Sequence, residues 1–332
     1  MTTGVKAWRR LAGSWAGLGA AWVVLAVAGR VIPGAAEVWA AQVYPAWSNL
    51  IVPISERASW PWTPWVLAGL VTLAGVTARG VASRRWAVAA WLALVATLGG
   101  AFETSWGWHA EQPPVERRLS LSAGPVDEAD LETMATRLHA TLVASVPVGD
   151  LDEEGALASL QASMRTFAPD VRVPSRVKHV AGVGFGTLGV AGVISPWTLE
   201  VHVDAGLPAW SRVAVAAHEL AHVAGFESEA GAELVGLLAG LRAEHADARY
   251  AAALRAWTWL PWSVREGFSL PERTQRDLEA LDRAAARRDD RLTRWAWSLY
   301  ARYLTSRGQG EGTAGYARGV TLLVEAKRAG LW

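Results

Sequence analysis

The chain contains no cysteine. That absence excludes a disulfide-stapled scaffold, a thiolate metal site and a dithiol redox centre. It also lacks a charge surplus. Thirty-two Lys and Arg face 31 Asp and Glu, a formal net charge of +1 over 332 residues, without the basic excess expected of a nucleic-acid-binding chain. Charged residues are scarce at 19% and apolar residues reach 52%, which excludes an intrinsically disordered chain. Length alone fits about two domains. Tryptophan, by contrast, is abundant: 20 in all, 12 of them before residue 110. The near-zero charge conceals a split. Residues 1–102 hold eight basic against two acidic side chains (+6), and residues 103–332 hold 24 against 29 (−5).

Three uncharged runs occupy the first part, at residues 11–29, 58–78 and 86–102. Roughly 17–25 apolar residues cross a hydrocarbon core of about 30 Å, so the sequence predicts three transmembrane helices in a membrane domain over residues 1–102. Competing readings are a signal peptide for the first run, with small residues at Gly34, Ala35 and Ala36, and a buried helical hairpin for the other two. Tryptophans at 60, 62, 65, 86, 106 and 108 favour spans, because indole rings settle at membrane interfaces. Lys6, Arg9 and Arg10 precede the first run, while Arg79, Arg84 and Arg85 separate the second from the third. The positive-inside rule puts both groups in the cytoplasm. The N-terminus is then inside, and the loop 30–57 and everything after residue 103 outside. Residues 35–50 form either a helix on the membrane surface or a packed loop.

Residues 103–332 suffice for one core. Pro125, Asp127, Glu128 and Asp130 open a helix expected to run to about Val146, because acids favour the positive helix end. A second is expected from Asp152 to Phe167. Residues 176–204 are β-branched and glycine-rich, a small β-hairpin or sheet ending in an alternating strand over 199–204. Gly184, Gly186 and Gly189 match a dinucleotide fingerprint in spacing. That fingerprint requires its third glycine to open a helix, and Gly192 and Pro196 follow at once, so hairpin glycines are expected instead. From Pro208 onward the pattern is helical, broken at Gly225, Pro261, Pro271 and 308–312.

The chemistry concentrates in His218, Glu219, Leu220, Ala221 and His222. Two histidines four apart share one helix face and can reach one metal ion, with Glu219 beside them as general base rather than ligand. Gly225 suits a left-handed helix end. Zinc needs a third protein ligand and an open position for water. The position that would supply a third histidine in HExxHxxGxxH is Ser228, a poor ligand. A glutamate from the following helix is the alternative: Glu229 is favoured and Glu233 is the alternative, with Glu227 expected as the helix cap. Oxyanion donors are sought among Tyr316, Tyr250, His202 and Arg318, and the strand carrying His202 could offer an edge to an extended substrate.

These features resemble a bacterial family of three-span membrane proteins of unknown function with an extracytoplasmic HExxH domain. The resemblance rests on Val43, Tyr44 and Pro45; Trp106 and Gly107 with Pro113 and Pro114; Ser195 and Pro196; residues 217–222 with Gly225 and Phe226; and Gly308, Gln309, Gly312, Tyr316 and Arg318. It implies a gluzincin-like zinc peptidase with His218 and His222 as ligands and Glu219 as base. The family pattern after the motif resembles Glu-Asp-Glu-Ala-Asn. Without gaps, Glu229 falls on its first glutamate, Gly231 on its second and Glu233 on the asparagine, which leaves the third ligand open.

The expectation is therefore a mainly α protein of the bacterial inner membrane, with a zincin-like domain outside, hydrolysing protein or peptide substrates in the envelope with Zn2+. Its alternatives are a catalytically silent scaffold that keeps a structural metal helix, and a metal-dependent amidase acting on cell-wall or lipid-linked amides. The partners expected are the lipid bilayer and the substrate, with no nucleic acid.

Overall fold

The computed structural model describes residues 3–80, 84–122, 124–181, 185–286, 290–306 and 318–332. The chain forms two compact units, one of Met1–Gln112 with Ser195–Glu200, the other of Pro113–Ile194 with Val201–Trp332. The first part thus ends at Gln112, against 102 in the sequence reading, and regains a short later segment.

The first unit comprises α1 (Thr3–Val31), α2 (Ala35–Val38), a π-helical turn (Trp39–Val43), α3 (Tyr44–Ser55), α4 (Thr63–Gly80), α5 (Arg84–Ser105) and a 3-10 turn (Gly107–Glu111). Among the described residues two stretches, Gly13–Val31 and Arg84–Ser105, are long and apolar enough to cross a membrane. The 18-residue α4 covers most of the second expected span and starts only at Thr63, between Pro61 and Pro64, as proline's missing N–H dictates. Small residues let α1 and α5 approach closely. A Cβ on Gly19 would stand 3.1 Å from the Ala93 carbonyl oxygen, and one on Gly100 2.4 Å from Trp22 Cβ. Further along, Arg30 pairs with Glu103 at 2.9 Å. Residue numbers rise together along the contact, so α1 and α5 run parallel.

The tryptophan excess has two causes here. Trp60 and Trp65 are exposed, but Trp106 and Trp108 are buried. Rather than taking the exposed interface position expected of them, these two join Trp39, Tyr44 and His109 in an aromatic cluster with ring centroids 4.3–5.7 Å apart. Residues 35–50 are accordingly packed helix, with Tyr44 fully buried. At the start of α4, the buried Glu200 carboxylate accepts hydrogen bonds from the backbone N–H groups of Trp62 and Thr63 and from the hydroxyls of Thr63 and Thr198, at 2.7–2.9 Å. A carboxylate at the positive end of a helix is well placed electrostatically.

The second unit comprises α6 (Val115–Arg118), α7 (Glu128–Ser145), α8 (Glu153–Met164), β1 (Val177–Val180), α9 (Phe185–Leu188), β2 (Gly192–Ile194), β3 (Val201–Asp204), α10 (Ala209–Val223), α11 (Glu229–Leu241), α12 (Ala246–Trp257), α13 (Trp262–Arg265), α14 (Glu272–Ala285), α15 (Asp290–Ser306) and α16 (Arg318–Arg328). At the helix opening expected for α7, Asp127 and Asp130 form a capping box, and Asp152 caps α8. The sheet has the order β1-β3-β2, with β1 parallel and β2 antiparallel to β3. The strand expected over 199–204 shortens to Val201–Asp204, because Leu199 adopts φ 54° and Glu200 belongs to the first unit. Gly189 has φ 68° and follows the single turn α9 rather than opening a helix, so the dinucleotide spacing is coincidental. Trp210, Leu220, Leu234, Tyr250, Trp257 and Met134 are fully buried among α7, α10, α11 and α12, which pack on one another.

Candidate metal centre

Alanine, valine and leucine make α10 a buried helix, and its end aims the site. Gly225 takes φ 88°, its N–H bonds the His222 carbonyl at 2.8 Å, and the Phe226 N–H reaches the Ala221 carbonyl at 3.1 Å. This is the Schellman closure. The turn brings the Phe226 carbonyl oxygen 2.8 Å from His222 Nδ1. A carbonyl only accepts, so Nδ1 carries the proton and Nε2 keeps its lone pair for a ligand bond. Ser228, not Glu227, caps α11 by accepting from the Gly231 N–H.

Helix α11 then runs back along α10. A Cβ on Gly236 would lie 2.9 Å from the Ala217 backbone and His218 N, so the two helices touch main chain to main chain. The two glutamates of α11 consequently meet the histidines at different heights. Glu229 Oε2 is 3.3 Å from His218 Nε2, and its Oε1 is 3.8 Å from His222 Nε2. Glu233 lies behind, 2.8 Å from His218 Nδ1, and is held from its other side by Arg255 Nε at 2.9 Å. Ligand atoms of His218, His222 and Glu229 lie within 4.8 Å of one another, and this buried group could hold a metal ion. In a tetrahedral site with bonds of ~2.1 Å the donors stand ~3.4 Å apart, so the trio closes onto an ion with small side-chain movements.

Burial and neighbouring charges set the protonation of each group in opposing directions. Burial by itself pushes the His218 imidazolium down, but hydrogen bonds and attraction from Glu229 and Glu233 outweigh it and hold it well above the usual range. His222 falls to about 4, through burial and then the charge on His218. Burial would raise Glu229 and Glu233; contacts with His218 for the first, and with Arg255 and His218 for the second, keep both below the carboxylate range. Glu219, next to the ligands on α10, is pushed up to about 8 by burial. Its carboxyl lies against β2, where a Cβ on Gly192 would sit 2.8 Å from Glu219 Oε1.

Of the oxyanion donors sought in the sequence, Tyr250 is spent on Asp277 and Thr274 at 2.7 and 3.3 Å, and Arg318 pairs with Glu116. His202 is buried on the central strand β3. That strand is flanked on both sides, so the edges of the sheet belong to β1 and β2. Tyr316 lies outside the described residues. Sequence reasoning missed Arg255 of α12, which holds Glu233, and Tyr300 of α15, whose hydroxyl donates to Glu229 Oε1. The trace of Tyr300 in the sequence was the 3.6-residue period that puts Thr293, Trp297 and Tyr300 on one helix face.

No curated protein and no solved structure gives a significant match to the chain. A family model does, over residues 39–324, a span that contains the whole metal-binding group. The chain belongs to the family described as "Protein of unknown function (DUF3810)".

Proposed function

We infer that the chain is a membrane-anchored, zinc-dependent peptidase with a zincin-like outer domain. One observation carries this reading: His218, His222 and Glu229 converge as a ligand trio while Glu219 stands beside them without joining it. Two imidazoles and one carboxylate form the donor set of catalytic zinc sites that keep a position open. Zinc held there supplies Lewis acidity, which lowers the pKa of a water and polarises a peptide carbonyl. Glu219, once ionised, takes the proton of the attacking water, and burial, which pushes its carboxyl up to about 8, favours holding that proton and delivering it to the leaving amine. Glu233 fixes the His218 ring through Nδ1, and Arg255 fixes Glu233. Tyr300 steadies Glu229.

Membrane topology is part of the proposal. If α1 and α5 both cross the bilayer, their parallel course obliges the chain between them to cross back, and α4 is the helix available. Three spans with Lys6, Arg9, Arg10, Arg79, Arg84 and Arg85 inside the cytoplasm put the metal centre outside, in the envelope of a bacterial inner membrane.

The decisive experiment is Glu219→Gln in the full-length protein, with peptide hydrolysis and bound zinc measured on one preparation. Hydrolysis should fall by about 10² or more while zinc stays bound. Retained hydrolysis would overturn the assignment of Glu219, and wild type that neither binds zinc nor cleaves peptides would overturn the peptidase.

A further inference from the structure

Helix α15 has two dissimilar faces. Toward the protein, the Thr293 hydroxyl donates to the Thr187 carbonyl at 3.2 Å, Trp297 meets the Tyr300 ring edge-on at 5.9 Å, and Tyr300 holds Glu229. On the other side Leu292, Trp295 and Leu299 are exposed, by 45, 60 and 45%. These three fall within about 60° of one another around a helix of 3.6 residues per turn. The exposed Arg291, Arg294 and Arg302 line one flank of that stripe. The helix contains three arginines against a single acid, Asp290.

A core-facing stripe would be covered, and a solvated helix would not expose a tryptophan between leucines. Leucine and tryptophan beside arginine is the composition of helices that lie in the headgroup layer, the apolar stripe sunk toward the acyl chains and the guanidinium groups on lipid phosphates. The same chain has helices long and apolar enough to cross a bilayer, so a bilayer is at hand for whatever they anchor. We propose that α15 is an interfacial helix whose outer face docks on anionic lipid, with Leu292, Trp295 and Leu299 immersed and Arg294 and Arg302 paired with phosphate. The proposal stands independently of the zinc reading. Its link to the centre is Tyr300, on the opposite side of the same helix.

Because the protein has no cysteine, one introduced thiol is a unique label. Full-length Leu299→Cys, and Glu279→Cys on the exposed surface of α14 as reference, carry a bimane fluorophore in nanodiscs of phosphatidylcholine alone or mixed with phosphatidylglycerol. The label at 299 should be quenched by headgroup-level spin-labelled lipid and shielded from aqueous iodide, and the label at 279 should behave oppositely. Lipid quenching at 299 should grow with phosphatidylglycerol and fall with salt. Replacing Arg294 and Arg302 by Gln should shift the docked-to-undocked ratio by about fivefold each. Iodide quenching alike at both positions would overturn the proposal. So would lipid quenching at 299 that ignores phosphatidylglycerol. Shielding in detergent accompanied by thiol cross-linking between copies would also overturn it, since a second copy would then cover the face.

Discussion

Glu229 and Glu233 stand one turn apart on α11 and differ in their company: Tyr300 and His222 meet the first, Arg255 and His218 Nδ1 the second. This difference predicts unequal variants. Glu229→Ala should lose bound zinc, whereas Glu233→Ala should keep it with affinity weakened by roughly 10–100-fold, the usual cost of removing a partner that orients a ligand. Zinc analysis of both proteins checks this, and full occupancy in Glu229→Ala would refute the ligand assignment. Affinity should also depend on pH. Zinc must displace the proton that Glu229 and Glu233 hold on His218, whose pKa is raised, so binding should weaken by about tenfold per pH unit below that raised value and level off above it. His222, already neutral, adds no further slope above about pH 4. The same proton stabilises the metal-free fold: its contribution is complete below the ordinary imidazole range and is lost as pH rises through the raised value. A zinc competition titration over a pH series reads the slope directly, and a flat profile would contradict it.

The elements that build the centre are a helix, a turn and a second helix pressed against the first. Gly236 permits that pressing. Gly236→Ala would place a methyl 2.9 Å from the α10 backbone, costing about 1–3 kcal/mol by forcing the helices apart and lowering zinc affinity as Glu229 and Glu233 retreat. Gly267→Ala, with nothing within 4 Å of the added Cβ, is the control for thermal melting and zinc titration. Much of this was legible in the sequence. The histidine spacing, the glycine end of α10 and the pair of candidate glutamates are local patterns on a helix. Between the glutamates the sequence yielded only a preference for Glu229, because both lie on one face of α11 and what separates them comes from Arg255 and Tyr300, far along the chain. The capping role of Ser228 went unread because the neighbouring Glu227, an acid, also suits a helix start.

At the scale of the whole molecule, the sequence conveyed two parts of opposite charge and a mainly helical chain with a small sheet. It did not convey that residues 195–200 return to the first part, since Leu199 and Glu200 continue the alternation of the strand after them and only the positive φ of Leu199 ends it. The proposed topology makes one prediction here. A reporter fused after Trp332 should be active only outside the cytoplasm, and cytoplasmic activity would invert the assigned orientation. The excursion of Ser195–Glu200 has a consequence for how such a protein could be processed. Many tethered enzymes are released by a single proteolytic cut between anchor and domain. Here a cut near Pro113 would leave the 195–200 segment in the released piece, with Glu200 deprived of the Trp62 and Thr63 N–H groups that satisfy it. The first unit is therefore complete only while residues 195–200 stay joined to it.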